Sequence, residues 1–478
     1  MSQNKMFIIP VWCVLVFCLI WPALYNHQPF FFADTSAYLR GADAGIAKLT
    51  HHTSRWTQST ENDDRKVESL SSTKDRAVLL GRSVYYGILL CLGDWLYNLW
   101  PTILLQALCV LLALSLTLSQ SGKPQPTTLA TATLVLCLFS PLAFYASYLM
   151  PDIFTGIAIL GMGNLIIYHL HMTRAHAATW AMLLCISALF HSSNLLLLIT
   201  MAVAYAAVTA FTDRRFSKTV IAAFLLAIMC GVAGEALFSF GVKAVLKSDP
   251  IRPPFITARL LEEGTGADYL RATCPQSGFE VCHFIDHLPV SNSDDFLWSQ
   301  DPKLGGFAIA SPEARHRLGD EQYRFAIAVF QHAPWAQIKA SLKDAGKQLA
   351  MFGLSEFSGF RQTAAFYNDH LPADYMNQLR QSAAWGQNVS SQIVTYASGV
   401  GALAALCLIA AAFFYPALRK QISPDLRALI IVCAAGLLTN DVLCGALSTP
   451  HERYQMRAIW IIPLLGLMIL DKIRRKQV

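Results

Sequence analysis

Apolar residues in this chain gather into runs of about twenty, parted by short polar breaks. A bilayer core about 30 Å thick takes roughly 20 apolar residues per helix. The runs predict spans near residues 6–25, 99–119, 127–149, 153–170, 177–191, 194–211, 219–241, 391–415, 427–447 and 456–470. The first run lacks a convincing A-x-A cleavage site and is kept as a span. Residues 84–98 are apolar but short, interrupted by Gly93 and Asp94, and read as an interfacial or re-entrant helix. The fold class expected is an all-α polytopic membrane protein of about ten transmembrane helices.

One long polar stretch, about 247–390, is neither span nor ordinary loop. Its first part, rich in Pro, Gly and Asp, reads as irregular. Residues 313–352 read as helical with a break at Pro334, after which Trp335, Ile338, Leu342, Ala345 and Leu349 recur at near-helical spacing. Two readings stand: an amphipathic helix on the membrane surface with Lys339, Lys343 and Lys347 on its polar face, or a small lid domain packed on itself. The chain thus divides into 1–246, an N-terminal transmembrane domain whose first outer loop is 26–98, an insert 247–390, and C-terminal transmembrane helices 391–478. No internal repeat is evident, which disfavours transporters built from paired halves.

Composition agrees with this pattern: of 478 residues 54% are hydrophobic and only 14% charged, where a soluble chain carries about 25% charged. The net charge of +6 does not mark a nucleic-acid partner. Its basic residues sit in short loops: Arg214, Arg215 and Lys218; Arg419, Lys420 and Arg427; Lys472, Arg474, Arg475 and Lys476. That is the positive-inside signature. With both termini cytoplasmic, loops 120–126, 171–176, 212–218 and 417–426 lie inside. The Asp34 loop, Pro151-Asp152, His191 to Asn194, the insert and 448–457 then share the opposite face. Of 12 cysteines, only Cys274 and Cys282 lie outside apolar runs; in an extracytoplasmic loop they are suited to a disulfide. No His/Cys cluster has zinc-like spacing, no Walker or Rossmann glycine pattern occurs, and the need for a divalent metal stays open.

Four segments on the expected outer face carry chemistry. Asp34, just beyond the first span, reads either as an N-cap of a helix starting at Thr35 or as a general base, with Tyr38 one turn on; Arg40 and Asp43 follow. Arg82, before Tyr85 and Tyr86, reads as a phosphate-and-acyl contact or as an interfacial anchor. Asp152 suits a helix start on backbone grounds, or supplies a second carboxylate; His191 and Asn194 read as polar caps or site residues. His451, Arg453, Tyr454 and Arg457, at the mouth of the last span, make a phosphate clamp, because guanidinium matches phosphate oxygens bidentately, or serve as anchors. Glu235, Asn440 and Asp441 fall near span ends on that side.

Together these features resemble the GT-C superfamily of polyprenyl-phosphate-sugar-dependent glycosyltransferases, which includes protein O-mannosyltransferases and the lipid A aminoarabinose transferase. The likeness rests on Ala33-Asp34-Thr-Ser-Ala-Tyr38 after the first span, Gly81-Arg82-Ser-Val-Tyr85-Tyr86-Gly87 before the short helix, and His451-Glu-Arg453-Tyr454 before the last. The chain has Asp-Thr where the family often has paired acids, and lacks the Pro-Pro common near the Arg82 position in the mannosyltransferase-like branch.

The resemblance implies inverting transfer of a hexose or pentose on the extracytoplasmic side of a bacterial inner membrane. By this analogy Asp34 would be the base, and Arg453, Arg457 or Arg82 would stabilise the departing phosphate. The residues themselves add Asp152 as a second catalytic carboxylate and His451 as a phosphate ligand, with Tyr38, Arg40, Tyr85, His191 and Tyr454 in support. The resemblance implies no cofactor; its partners are a lipid-linked sugar donor, membrane lipid and an acceptor glycan, lipid or protein. Competing readings are a polytopic lipid or solute transporter and a surface-polysaccharide polymerase or ligase.

Overall fold

The computed structural model describes residues 3–51, 53–56, 78–120, 126–211, 216–357, 371–386 and 389–477. These form an all-helical protein; among them the only extended pairings are the isolated bridges Phe30–Tyr148 and Leu79–Ile251. Arg214 and Arg215, most of the polar stretch 51–78 and nearly all of the 120–126 loop lie outside the described residues.

Among the described residues five helices are long and apolar enough to cross a membrane: Trp100–Ser119, Ser192–Phe211, Lys218–Leu246, Ser391–Phe414 and Pro424–Leu447. Each falls on an expected span. The other expected spans are shorter or broken. The 127–149 run divides into Pro126–Phe139 and Leu142–Ala146. Pro141 cannot continue a helix, and Ser140 Oγ donates to the Leu136 carbonyl while accepting from Leu142 N–H, a local alternative to the helical ladder. The 6–25 run likewise divides into Gln3–Leu19 and Trp21–Tyr25, with Pro22 in the second piece. Ile153–Tyr168 and Arg174–Phe190 are short apolar helices, and the helix on the 456–470 run starts late, as Ile461–Gln477, after the short piece Glu452–Met456.

Close helix approach depends on small residues where no large side chain fits. A Cβ on Gly156 would come within 2.5 Å of the Trp460 indole nitrogen, so only hydrogen allows Ile153–Tyr168 to seat that ring. Val84–Tyr97 packs on Ala33–Thr50, with Gly87 against the Tyr38 carbonyl and Ala42. Ser83 caps it by accepting from Tyr86 N–H.

The early insert is more ordered than its composition foretells. Phe255–Glu263, Thr265–Thr273, a 3-10 turn at Glu280–His287 and Ser293–Trp298 are all helical. Apolar residues of this segment, among them Leu261, Leu270, Phe279, Val281, Phe296 and Phe307, pack with Leu318 and Phe325 into a core of their own. Frequent Pro and Gly here punctuate short helices rather than abolish them: Gly264 takes φ of 93° between two of them. Cys274 and Cys282 are joined by a disulfide. Helices Pro312–His332 and Pro334–Ala350 follow, parted at Ala333 as the proline predicts.

Candidate functional site

The helix that carries Asp34 starts at Ala33, two residues before the start expected from the sequence, so Asp34 is not its cap. Phe32 occupies the N-cap place, and Thr35 Oγ1 accepts from the Phe32 N–H at 3.0 Å and donates to the Leu149 carbonyl at 3.0 Å. The Asp34 carboxylate is therefore left for other partners. Arg82 Nη2 donates to Oδ1 at 2.6 Å and Arg453 Nη1 to Oδ2 at 3.3 Å. Each oxygen is held by a different guanidinium, and the side chain keeps 19% exposure. Burial alone would push this carboxyl up; Arg82 first and then Arg453 overcome that and hold it down at about 2.

Arg453 is largely enclosed, its side chain 14% exposed. Its guanidinium carbon lies 5.2 Å from the ring centres of both Phe32 and Tyr454. Its Nε faces Glu356 Oε2 at 3.7 Å, and its backbone carbonyl accepts from Tyr145 Oη. Glu356 also meets His451 Nδ1 at 3.3 Å. Burial would raise the Glu356 carboxyl, but His451 and Arg453 draw it below its usual range. Glu356 arrives on a short 3-10 turn of the insert, Ser355–Phe357. Glu452 clamps that turn, accepting from the Ser355 N–H at 2.7 Å and hydroxyl at 2.6 Å. Phe357 then inserts among Phe32, Phe144, Tyr145 and Tyr148.

A second polar cluster adjoins the first. Arg457 is wholly buried, donating to Asn440 Oδ1 at 2.8 Å, Ser193 Oγ at 3.3 Å and Asp152 Oδ1 at 3.4 Å. The Tyr454 ring bridges the clusters, 5.1 Å from the Arg457 guanidinium carbon. Asp152 Oδ2 and the Nε atoms of Arg82, Arg453 and Arg457 are buried without a hydrogen-bond partner among the described atoms. Four such atoms around two joined clusters leave polar capacity for a ligand or water.

The structure thus gathers Asp34, Arg82, Arg453 and His451 round one centre and Asp152, Arg457 and Tyr454 beside it. His191 joins at one remove, its Nδ1 lying 2.9 Å from Ser193 Oγ. Asn194 is internal, accepting from Thr155 Oγ1 at 2.7 Å. Tyr38 is buried edge-on against Tyr86.

Three residues fall elsewhere. Tyr85 is directed to the Gly234 carbonyl at 2.7 Å, while Tyr86 faces inward and donates to Gln106 at 2.7 Å. Arg40 lies half-buried on another face of its helix, about 120° round the axis from Asp34 at 3.6 residues per turn. Glu235 pairs with Arg252 at 2.8 Å on the surface. No described group of three or more His, Cys, Asp or Glu could hold a metal ion.

Comparisons with protein-family models, curated proteins and solved structures find no match to this chain. The chemistry of the site rests on its geometry.

Glu356, Phe357 and Tyr145 have no place in the sequence reading. The only trace of Glu356 is an acid set between apolar residues, Leu354 and Phe357, just past an amphipathic helix. Carboxylates in two separate segments thereby share one arginine, a relation that no local pattern reports.

Proposed function

We propose that this chain is an integral-membrane glycosyltransferase of GT-C type. It would move a hexose or pentose from a polyprenyl-phosphate donor to a glycan, lipid or protein acceptor, with inversion. The observation that carries the reading is Asp34 held between Arg82 and Arg453 beside apolar helices suited to a bilayer.

A donor phosphate competes with Asp34 for the two guanidinium groups. As it takes them, the carboxylate loses the charges that depress it and regains affinity for a proton. Asp34 then accepts the proton of the acceptor hydroxyl as its oxygen bonds to the anomeric carbon. The bond from that carbon to the phosphate oxygen breaks, its electron pair goes to the phosphate, and the arginines stabilise the added charge. Arg457, wholly buried against Asp152, Ser193 and Asn440, would brace Tyr454 beside the donor site.

The remaining parts of the reading are about ten spans, both termini cytoplasmic, and the site on the outer face of a bacterial inner membrane. The Cys274–Cys282 disulfide supports an oxidising compartment for the insert. A hydrogen bond between the Ser293 and Thr449 hydroxyls and one from Gln348 to the His451 carbonyl join that insert to the same end of the bundle as the site.

The test is transfer of labelled sugar from polyprenyl-phosphate hexose and pentose donors in proteoliposomes, with product stereochemistry read by NMR. Inverted product supports the reading. Movement of intact donor across the bilayer without bond cleavage overturns it in favour of a transporter. A membrane-impermeant thiol reagent that labels Cys274 and Cys282 in intact cells only after reduction supports the outer placement; labelling only after permeabilisation overturns it.

A further inference from the structure

Helix Pro334–Ala350 inverts the usual arrangement of an amphipathic helix. The side it turns to the rest of the molecule bears Gln337, Ala345 and Gln348, all buried. Gln337 Nε2 donates to Glu263 at 2.9 Å and Gln348 Nε2 to the His451 carbonyl at 2.9 Å. The apolar side is left outside: Trp335 is 80% and Leu342 67% exposed, with Ile338 and Leu349 beside them. Spacings of 3, 4 and 7 residues set these four on one stripe. Lys339, Lys343 and Lys347, each exposed, form a parallel row along the edge of the stripe farther from the buried side. Across the Ala333 corner, Tyr323, Ile327 and Phe330 continue exposed apolar surface on helix Pro312–His332.

The neighbour of this helix indicates what covers the stripe. Ile431, Leu438 and Val442 are exposed on Pro424–Leu447, one of the five helices able to cross a membrane. Gly445 falls next on that face at helical spacing, and there Pro334–Ala350 sits: a Cβ on Gly445 would lie 2.8 Å from Ala345 Cα and Gln348 Cβ. Pro334–Ala350 therefore packs against the C-terminal part of a candidate span, beside that span's exposed apolar residues. A lysine row beyond an apolar stripe fits anionic phosphates above acyl chains.

We propose that Pro334–Ala350 is an interfacial helix docked on the surface of an anionic phospholipid bilayer, Trp335, Ile338, Leu342 and Leu349 among acyl chains and Lys339, Lys343 and Lys347 at the headgroups. The insert is then fixed against the membrane by lipid as well as by its protein contacts. The placement does not depend on the transferase reading.

The full chain, one copy per nanodisc of phosphatidylcholine and phosphatidylglycerol, carries an environment-sensitive fluorescent residue at position 338, 342, 343 or 347. Acyl-brominated lipid should quench positions 338 and 342 several-fold more than 343 and 347. Brominated phosphatidylglycerol should quench more than brominated phosphatidylcholine, with an enrichment of about fivefold per lysine. That preference should vanish in a Lys339→Gln, Lys343→Gln, Lys347→Gln variant and persist in the triple arginine variant. Equal quenching at 342 and 343 overturns the proposal. So does shielding of 342 that occurs only with two copies per disc, which would make the stripe a self-association face.

Discussion

Arg453 reaches Asp34 from 419 residues away along the chain and donates to its Oδ2 at 3.3 Å, while the same guanidinium faces Glu356 at 3.7 Å through Nε. One arginine thus ties the first loop, the late insert and the mouth of the last helix into one electrostatic unit. Removing any member alters the charge seen by the other two.

Asp34→Asn keeps size and polarity but removes the base. Transfer from a polyprenyl-phosphate sugar should fall about 10²- to 10⁴-fold, with protein yield and detergent elution unchanged. Undiminished turnover would remove Asp34 from the chemistry.

The same carboxylate makes stability depend on acid. Its folded value, about 2, lies below the ordinary 3.8, so its stabilisation is fully present above about pH 4 and is lost as pH falls toward 2. A shift of this size corresponds to about 2 kcal/mol. Melting temperatures in detergent between pH 6 and pH 2 should fall more steeply for the native chain than for Asp34→Asn. Parallel curves would show that the two arginines do not hold this carboxylate.

Glu356→Gln removes a charge that faces Arg453 at Nε, while Asp34 accepts from Nη1. Freed to close on Asp34, Arg453 should meet the donor phosphate less well. KM for the lipid donor should rise about tenfold, with kcat changed less, and Glu356→Asp should recover part of the loss. Equal loss in kcat and kcat/KM would instead place Glu356 at the reacting atoms.

Gly156→Ala sets a methyl against the Trp460 indole, whose N–H donates to the Arg457 carbonyl at 3.1 Å. Overpacking of this kind costs about 1–3 kcal/mol, so the melting temperature should drop. Gly241→Ala, with nothing within 4 Å of the new carbon, should leave it level or raise it.

Much of the fold is legible in the runs themselves, since a twenty-residue apolar helix is a local property. Five of them recur as long helices where the pattern puts them. Where Pro22 and Pro141 lie inside or at the edge of such a run, hydropathy counts residues but not the broken ladder, and the expected spans come out divided. The early insert misleads in the opposite sense. Its Pro and Gly content conceals a core whose members, from Ile251 to Val329, meet only after short helices fold together.

Asp34, Arg82 and Arg453 can each be singled out from residue type beside an apolar run. The start of the helix at Ala33, which takes Asp34 out of the cap and gives it to two arginines, depends on tertiary contacts of Phe32 and Thr35. Glu356 and the outward apolar stripe of Pro334–Ala350 have the same origin. Hydropathy and charge add up residue by residue, and so declare an all-helical, bilayer-suited protein from sequence alone. Which carboxylate meets which guanidinium, and which helix face is left for lipid, are properties of distances across hundreds of residues. Only the packed chain sets those distances.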